Sequence, residues 1–241
     1  MKTNRVTQAT PWRSRRPLNN DGRPRRLLLS PAAWLKWQYL CHVGPTEVAG
    51  FGLSGAADPL YLDDVLVVRQ RATSMTVAFD DTAVADLFDA MVDAGIPPAR
   101  FARIWLHTHP GAAVVPSGTD EDTFAQAFGR CDWAVMAILG RTGRTSARLR
   151  FSAGPGGSID LHTVVDWAAW PSFALDPSRP LSDRIAGWQR EYEAFVGPAL
   201  PLPTGSTIYD STFADFLDPP LRGSDPQSFD PFLTGGLHDF D

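Results

Sequence analysis

Arg103-Ile104-Trp105-Leu106-His107-Thr108-His109-Pro110 leads, through residues 111–116, into Ser117-Gly118-Thr119-Asp120. The first half predicts a strand over 103–109. Residues i and i+2 of a strand share a face. His107 and His109 therefore project together with Trp105, while Ile104 and Leu106 point the other way, into a core. Pro110 cannot donate to a ladder and ends the strand. Residues 111–116 let the chain turn back. Ser117 then starts a helix over 117–128, with Asp120 in its first turn and Phe124 and Phe128 one turn apart on one face. That first turn can point Asp120 back at the strand end.

Outward from this unit, strands and helices alternate. Residues 27–29 predict a short strand. Ser30-Pro31 pairs an N-cap with proline at the first helical position, and Trp34, Trp37 and Cys41 mark one buried face of a helix ending near Gly44. Residues 47–53, Glu-Val-Ala-Gly-Phe-Gly-Leu, predict a strand whose glycines allow close backbone approach. Further strands are expected over 61–71 and 75–79. Asp80 or Asp81 caps a helix carrying Val84, Leu87, Phe88, Met91 and Val92 at helical spacing, which Gly95 ends before the break at Pro97-Pro98. A buried strand is expected over 133–139, another over 147–151, a loop over 154–157 and a helix over 182–196. Residues 159–170 fit strand or helix. There is no internal repeat. The alternation predicts one α/β domain over 27–197, between a basic arm (1–26) and an acidic, Pro- and Phe-rich tail (198–241), both expected to be flexible.

The 241 residues suffice for one large domain with tails. No run approaches the length of a membrane-spanning helix. The apolar run after the basic arm, Leu27-Leu28-Leu29, is short for a signal-peptide core. Cys41 and Cys131 are the only cysteines, which excludes a disulfide scaffold and points to buried thiols in a cytoplasmic protein. The net charge of −5 is unevenly spread: residues 1–26 carry eight Lys/Arg against one Asp, and residues 200–241 seven Asp against one Arg. Only Lys2 and Lys36 are lysines, and only Glu47, Glu121, Glu191 and Glu193 are glutamates, a skew that a GC-rich, codon-biased genome explains. The arm's charge is the one feature favouring nucleic acid. It lacks interleaved aromatics, and the acidic core and tail argue against that partner. In the tail, Phe213-Ala-Asp-Phe216-Leu217 and Phe229-Asp-Pro-Phe232-Leu233 are either partner-docking motifs or part of a solvated, solubilising segment.

Two neutral imidazoles presented together make good zinc ligands, and a carboxylate can supply a third. Three protein ligands leave a tetrahedral position for water, the open arrangement of a catalytic zinc. Each half has a plainer reading. His-x-His can be a chance pair, and Ser-x-x-Asp is a capping-box variant that merely starts a helix. Together, at this spacing, they point to a metal, and Ser117 can cap while Asp120 ligates.

The pattern His-x-His-x7-Ser-x-x-Asp, with Glu47 opening the upstream Glu-Val-Ala-Gly segment, resembles the JAMM motif of the JAB/MPN metallopeptidases. Pro110 and Pro116 are familiar at these positions in bacterial members. The likeness covers residues 27–150. It implies a single JAB/MPN-like domain, a curved mixed β-sheet flanked by helices. It also implies one Zn²⁺ per chain held by His107, His109 and Asp120, with Glu47 moving the proton and Ser117 bonding the oxyanion. No further His/Cys cluster follows Asp120, so a second zinc is not expected, and His42 and His162 have no ligand-spaced companions. The implied activity is isopeptidase or peptidase cleavage after the C-terminal Gly-Gly of a ubiquitin-like protein, in deconjugation or precursor processing. The partners are that protein or its conjugate, and activating or conjugating enzymes of the same pathway. Two other readings stay open: a non-catalytic MPN-type scaffold, and a JAB-type zinc hydrolase with another substrate.

Overall fold

Local sequence starts and stops most elements. Ser30 Oγ accepts the Ala33 N–H at 3.0 Å, so β1 (Arg26–Leu29) passes into α1 (Pro31–Val43). Asp80 caps α2 (Asp81–Asp93) through the Ala83 N–H at 2.9 Å. Gly95, with φ +76°, takes the left-handed conformation that lets the chain leave it. The computed structural model describes residues 25–198. Its other elements are β2 (Ala49–Ser54), β3 (Tyr61–Leu66), β4 (Gln70–Ala72), β5 (Val77–Phe79), α3 (Pro98–Phe101), β6 (Ile104–His109), α4 (Gly118–Phe128), β7 (Trp133–Gly140), β8 (Thr145–Phe151), β9 (Gly157–Val165), α5 (Trp170–Ala174), α6 (Leu181–Phe195) and β10 (Val196–Pro198). A 3₁₀ turn, Trp167–Ala169, joins β9 to α5. Apart from Arg25, Arg26 and Pro198, the expected arm and tail lie outside the described residues.

The chain is mixed α/β. Seven strands form a sheet in the order β1-β3-β2-β6-β7-β8-β9, which closes on itself because β1 pairs in parallel with both β3 and β9. The sheet expected from the sequence was a curved mixed one, and closure goes further. It depends on Arg26 meeting His162 and Leu29 meeting Val165, pairings with no local signal. β6 sits centrally, antiparallel to β2 and parallel to β7. Its alternation serves two cores. Ile104 and Leu106 pack with Trp37, Leu40 and Cys41 of α1. Trp105 packs with Phe124 and Phe128 of α4, Phe88 of α2 and Phe101 of α3.

Three expectations change. The strand expected over 61–71 is two strands: β3 ends at Leu66, and β4 joins β5 and β10 in a separate three-stranded sheet. Val67 and Val68 are buried in opposite cores there, so the chain stays apolar while it changes sheets. The ambiguous 159–170 is strand to Val165 and helical from Trp167. The strand expected from residue 47 begins at Ala49, which leaves Glu47 just ahead of it. Among the described residues no helix is long and apolar enough to cross a membrane.

The glycines of β2 do allow close approach. A Cβ at Gly50 would stand 2.6 Å from the Leu66 carbonyl oxygen, and one at Gly52 2.4 Å from Leu62 Cδ1. At Gly50 the obstacle is backbone and cannot rotate away. Gly50→Ala is expected to cost about 1–3 kcal/mol through overpacking. In a thermal melt that appears as roughly 2–4 °C lost per kcal/mol. An unchanged melt would show that β2 and β3 can separate at no cost.

Candidate metal centre

β6 and α4 build the centre. His107 lies opposite Ala49 of β2 and Ile138 of β7, and its side chain is fully buried. The Trp105 ring stacks on it at 4.4 Å with a 29° tilt, which fixes the imidazole plane. His109, at the strand end, is 14% exposed. The two imidazole centroids are 5.1 Å apart, as the i, i+2 pattern requires. The chain returns at Ser117 in a complete capping box. Ser117 Oγ accepts the Asp120 N–H at 3.2 Å, and Asp120 Oδ2 accepts the Ser117 N–H at 2.7 Å. The box holds the carboxylate against β6, with Oδ1 3.4 Å from His107 Nε2 and Oδ2 3.7 Å from His109 Nε2. One ligand atom from each of His107, His109 and Asp120 lies within 4.8 Å of the others.

The protonation states suit a cation. His109 Nδ1 lies 3.0 Å from the Ala113 carbonyl, which can only accept. Nδ1 therefore carries the proton, and the Nε2 lone pair faces the carboxylates. In the metal-free chain the hydrogen bond to Asp120 raises the His109 pKa, so a bound cation takes the place of a proton at Nε2. Burial lowers that of His107, against the pull of Asp120, so its neutral form is favoured. Burial works to raise the Asp120 pKa, but the two imidazoles and the Ser117 N–H outweigh it and hold the carboxyl well below the usual range. His107 Nδ1 and Nε2, though fully buried, have no hydrogen-bond partner among the described residues. Buried polar atoms are rarely left so. The residues present fit a divalent metal ion with mixed N/O ligands, and the chemistry is not specific to zinc.

Glu47 joins this group from the segment just ahead of β2. Its side chain is 6% exposed, with Oε1 3.9 Å from His109 Nε2 and Oε2 buried without a hydrogen-bond partner among the described residues. Burial pushes its carboxyl up to about 7, opposed by His109 and reinforced by Asp120. All five residues singled out in the sequence thus meet at one place. Ser117 Oγ also donates to Asp120 Oδ2 at 2.8 Å, so its hydroxyl is engaged in aiming the carboxylate. Cys41 lies close by, its Sγ 3.6 Å from the Leu139 carbonyl, and burial pushes its thiol up to about 11, which keeps it un-ionised. A polar cleft of about 590 Å³ lined by α1 and α6 is a separate feature. Its buried Lys36 is already paired with Glu191 at 2.7 Å.

Sequence reasoning missed the Ala113 carbonyl, because no residue type announces a backbone acceptor. It also missed Thr108 and Gln70, which hold the backbone beside Glu47. Gln70 is only 1% exposed, yet its position between Arg69 and Arg71 carried no sign of that role. No protein-family model matches the chain, and no curated protein matches it.

Proposed function

We propose that the chain is a zinc-dependent isopeptidase or peptidase that cleaves after the Gly-Gly end of a ubiquitin-like protein, on a JAB/MPN-like domain. The observation that carries this reading is the buried Glu47 carboxylate beside His109, at the edge of a two-His, one-Asp group whose deepest imidazole makes no hydrogen bond among the described residues. A purely structural site has no use for a second buried carboxylate. The strand–loop–helix unit and the packing of α1 against one face of the curved sheet support the domain assignment.

His107, His109 and Asp120 would hold the ion. Zinc supplies a Lewis acid for the scissile carbonyl and brings the pKa of a water it binds to near 7. Glu47 accepts a proton from the attacking water on a carboxylate oxygen and passes it to the leaving amine. Ser117 would donate to the developing oxyanion once its hydroxyl rotates off Asp120 Oδ2; loss of one such donor costs roughly 2.7–4 kcal/mol. The order β10-β4-β5 leaves β5 as a sheet edge. The Glu47 N–H donates to the Thr73 carbonyl at 2.7 Å, which places the β4–β5 turn next to the base. An extended Gly-Gly tail can add to such an edge by backbone pairing.

The test is metal analysis together with turnover of a reporter whose Gly-Gly carboxyl is joined to a lysine amine. About one zinc per chain is expected, with turnover lost on chelation and restored by zinc. Acidification should release the metal, because protons compete for the imidazoles. Absence of zinc would overturn the reading. Zinc without turnover of any Gly-Gly substrate would leave a metal-binding scaffold or a hydrolase of another class.

A further inference from the structure

Glu47 lies on no strand, yet its carboxylate is held beside His109. The sheet splits at this point. Phe51 pairs with Leu66, so a longer β3 would bring Val68 opposite Ala49, but β3 ends at Leu66. The Gln70 carboxamide takes the place of the missing ladder. Its Oε1 accepts the Ala49 N–H at 2.8 Å, and its Nε2 donates to the carbonyls of Ala49 at 2.8 Å and Val68 at 2.9 Å. On the other side stands Thr108, fully buried between the two histidines in sequence. Its N–H donates to the Val48 carbonyl at 2.9 Å, and its Oγ1 accepts the Val48 N–H at 2.9 Å. Both backbone groups of the residue after Glu47 are thus satisfied by Thr108 alone. Two buried side chains, imitating backbone, hold residues 48 and 49 to β6 on one side and to the 68–70 segment on the other.

We propose that Thr108 and Gln70 are positioning residues that fix Glu47 opposite His109, and that without them the carboxylate moves off the metal group while the group itself stays intact. The catalytic consequence rests on the hydrolase reading above; the structural one does not. The ligands stand on β6 and α4, which the β6–β7 ladder and the capping box also hold, whereas Glu47 is held by its N–H bond to the Thr73 carbonyl and through the backbone of Val48 and Ala49. Misplacement of a reacting group by about 1 Å can cost on the order of 100-fold in rate.

The test is Thr108→Val, which keeps the shape and removes the Oγ1 acceptor. Faster amide hydrogen exchange at Val48 and Ala49 is expected, with α4 protection and zinc content unchanged. On a turned-over reporter, kcat should fall about 10–100-fold with KM unchanged, and Thr108→Ser should restore it. In a Glu47→Gln background Thr108→Val should cause no further loss, because it acts through that carboxylate. Gln70→Leu, on the other side of the segment, is the second variant and should give the same pattern. Unchanged exchange at Val48 and Ala49 in both variants overturns the proposal, as does an equal loss of turnover in the Glu47→Gln background. Absence of zinc or turnover in the parent chain overturns the hydrolase reading instead, and the exchange measurement still decides the positioning role.

Discussion

Asp120→Asn is expected to fold like the parent and to lose its zinc. Asp120 has two tasks that a single substitution can separate. As the third residue of α4 it accepts the Ser117 N–H and Oγ–H on Oδ2. An asparagine carbonyl can accept the same two bonds, so the capping box and the start of α4 survive. As a ligand it brings the negative charge that two neutral imidazoles lack. A neutral amide does not supply that charge, and hard cations prefer carboxylate oxygen. Outer partners of metal ligands typically cost 10–100-fold in affinity when changed, so loss of a direct ligand should exceed about 100-fold. The loss is read by metal content after dialysis and by thermal melts. Zinc at 1,000 times its dissociation constant stabilises the parent by about 4 kcal/mol, and that increment should vanish in the variant. Full zinc occupancy in Asp120→Asn would show that the His-His-Asp group is not the metal site. Asp120→Ala would be less informative, since it also removes the half of the capping box that accepts the Ser117 N–H and Oγ–H.

Glu47→Gln is expected to keep zinc and to lose turnover by about 10²–10⁴-fold, the usual contribution of a general acid–base group. The shape is preserved, but the amide cannot take up a proton. Its pH behaviour supplies an independent check. In the metal-free chain burial holds the Glu47 carboxyl near 7, well above its ordinary 4.5. A bound dication favours the ionised form and lowers that value. Turnover by the zinc enzyme should therefore fall as pH drops through the Glu47 pKa, and the residual turnover of Glu47→Gln should lack that limb. The same burial has a stability signature. Between pH 4.5 and 7 the folded metal-free chain binds more protons at Glu47 than the unfolded chain does, so its stability falls as pH rises through that window. Above it the ionised, buried carboxylate costs up to about 3 kcal/mol, at 1.36 kcal/mol per unit. Metal-free Glu47→Gln should melt higher than the metal-free parent at pH 8, and the gap should close at pH 5. An equal gap at both pH values would place Glu47 in a solvated setting and remove the basis for its role.

Much of the candidate site was legible because its parts are local. Alternation along 104–109 put the two imidazoles on one face with Trp105, and Ser117 with Asp120 formed the expected box. Glu47 was legible only through the family likeness, since nothing in its neighbourhood says that it turns inward. Helix ends followed from Ser30, Asp80 and Gly95, each of which acts on backbone within a few residues. The split of 61–71 was not legible: Val67 and Val68 suit a continuing strand, and only their burial in two different cores separates them.

The sequence by itself determined the metal-competent unit, because side-chain alternation and capping operate over a few residues. It also determined the mixed α/β class through the succession of periods. Tertiary structure decided the rest. β1 closes the sheet by joining residues more than a hundred positions apart, Arg26 with His162. The Glu47 carboxylate meets His109 across 62 positions because β2 and β6 are paired in one register, Ala49 opposite His107. Gln70 and Thr108 bond that segment where the ladder fails. Such contacts depend on which strands become neighbours, and no local preference of the chain encodes that choice.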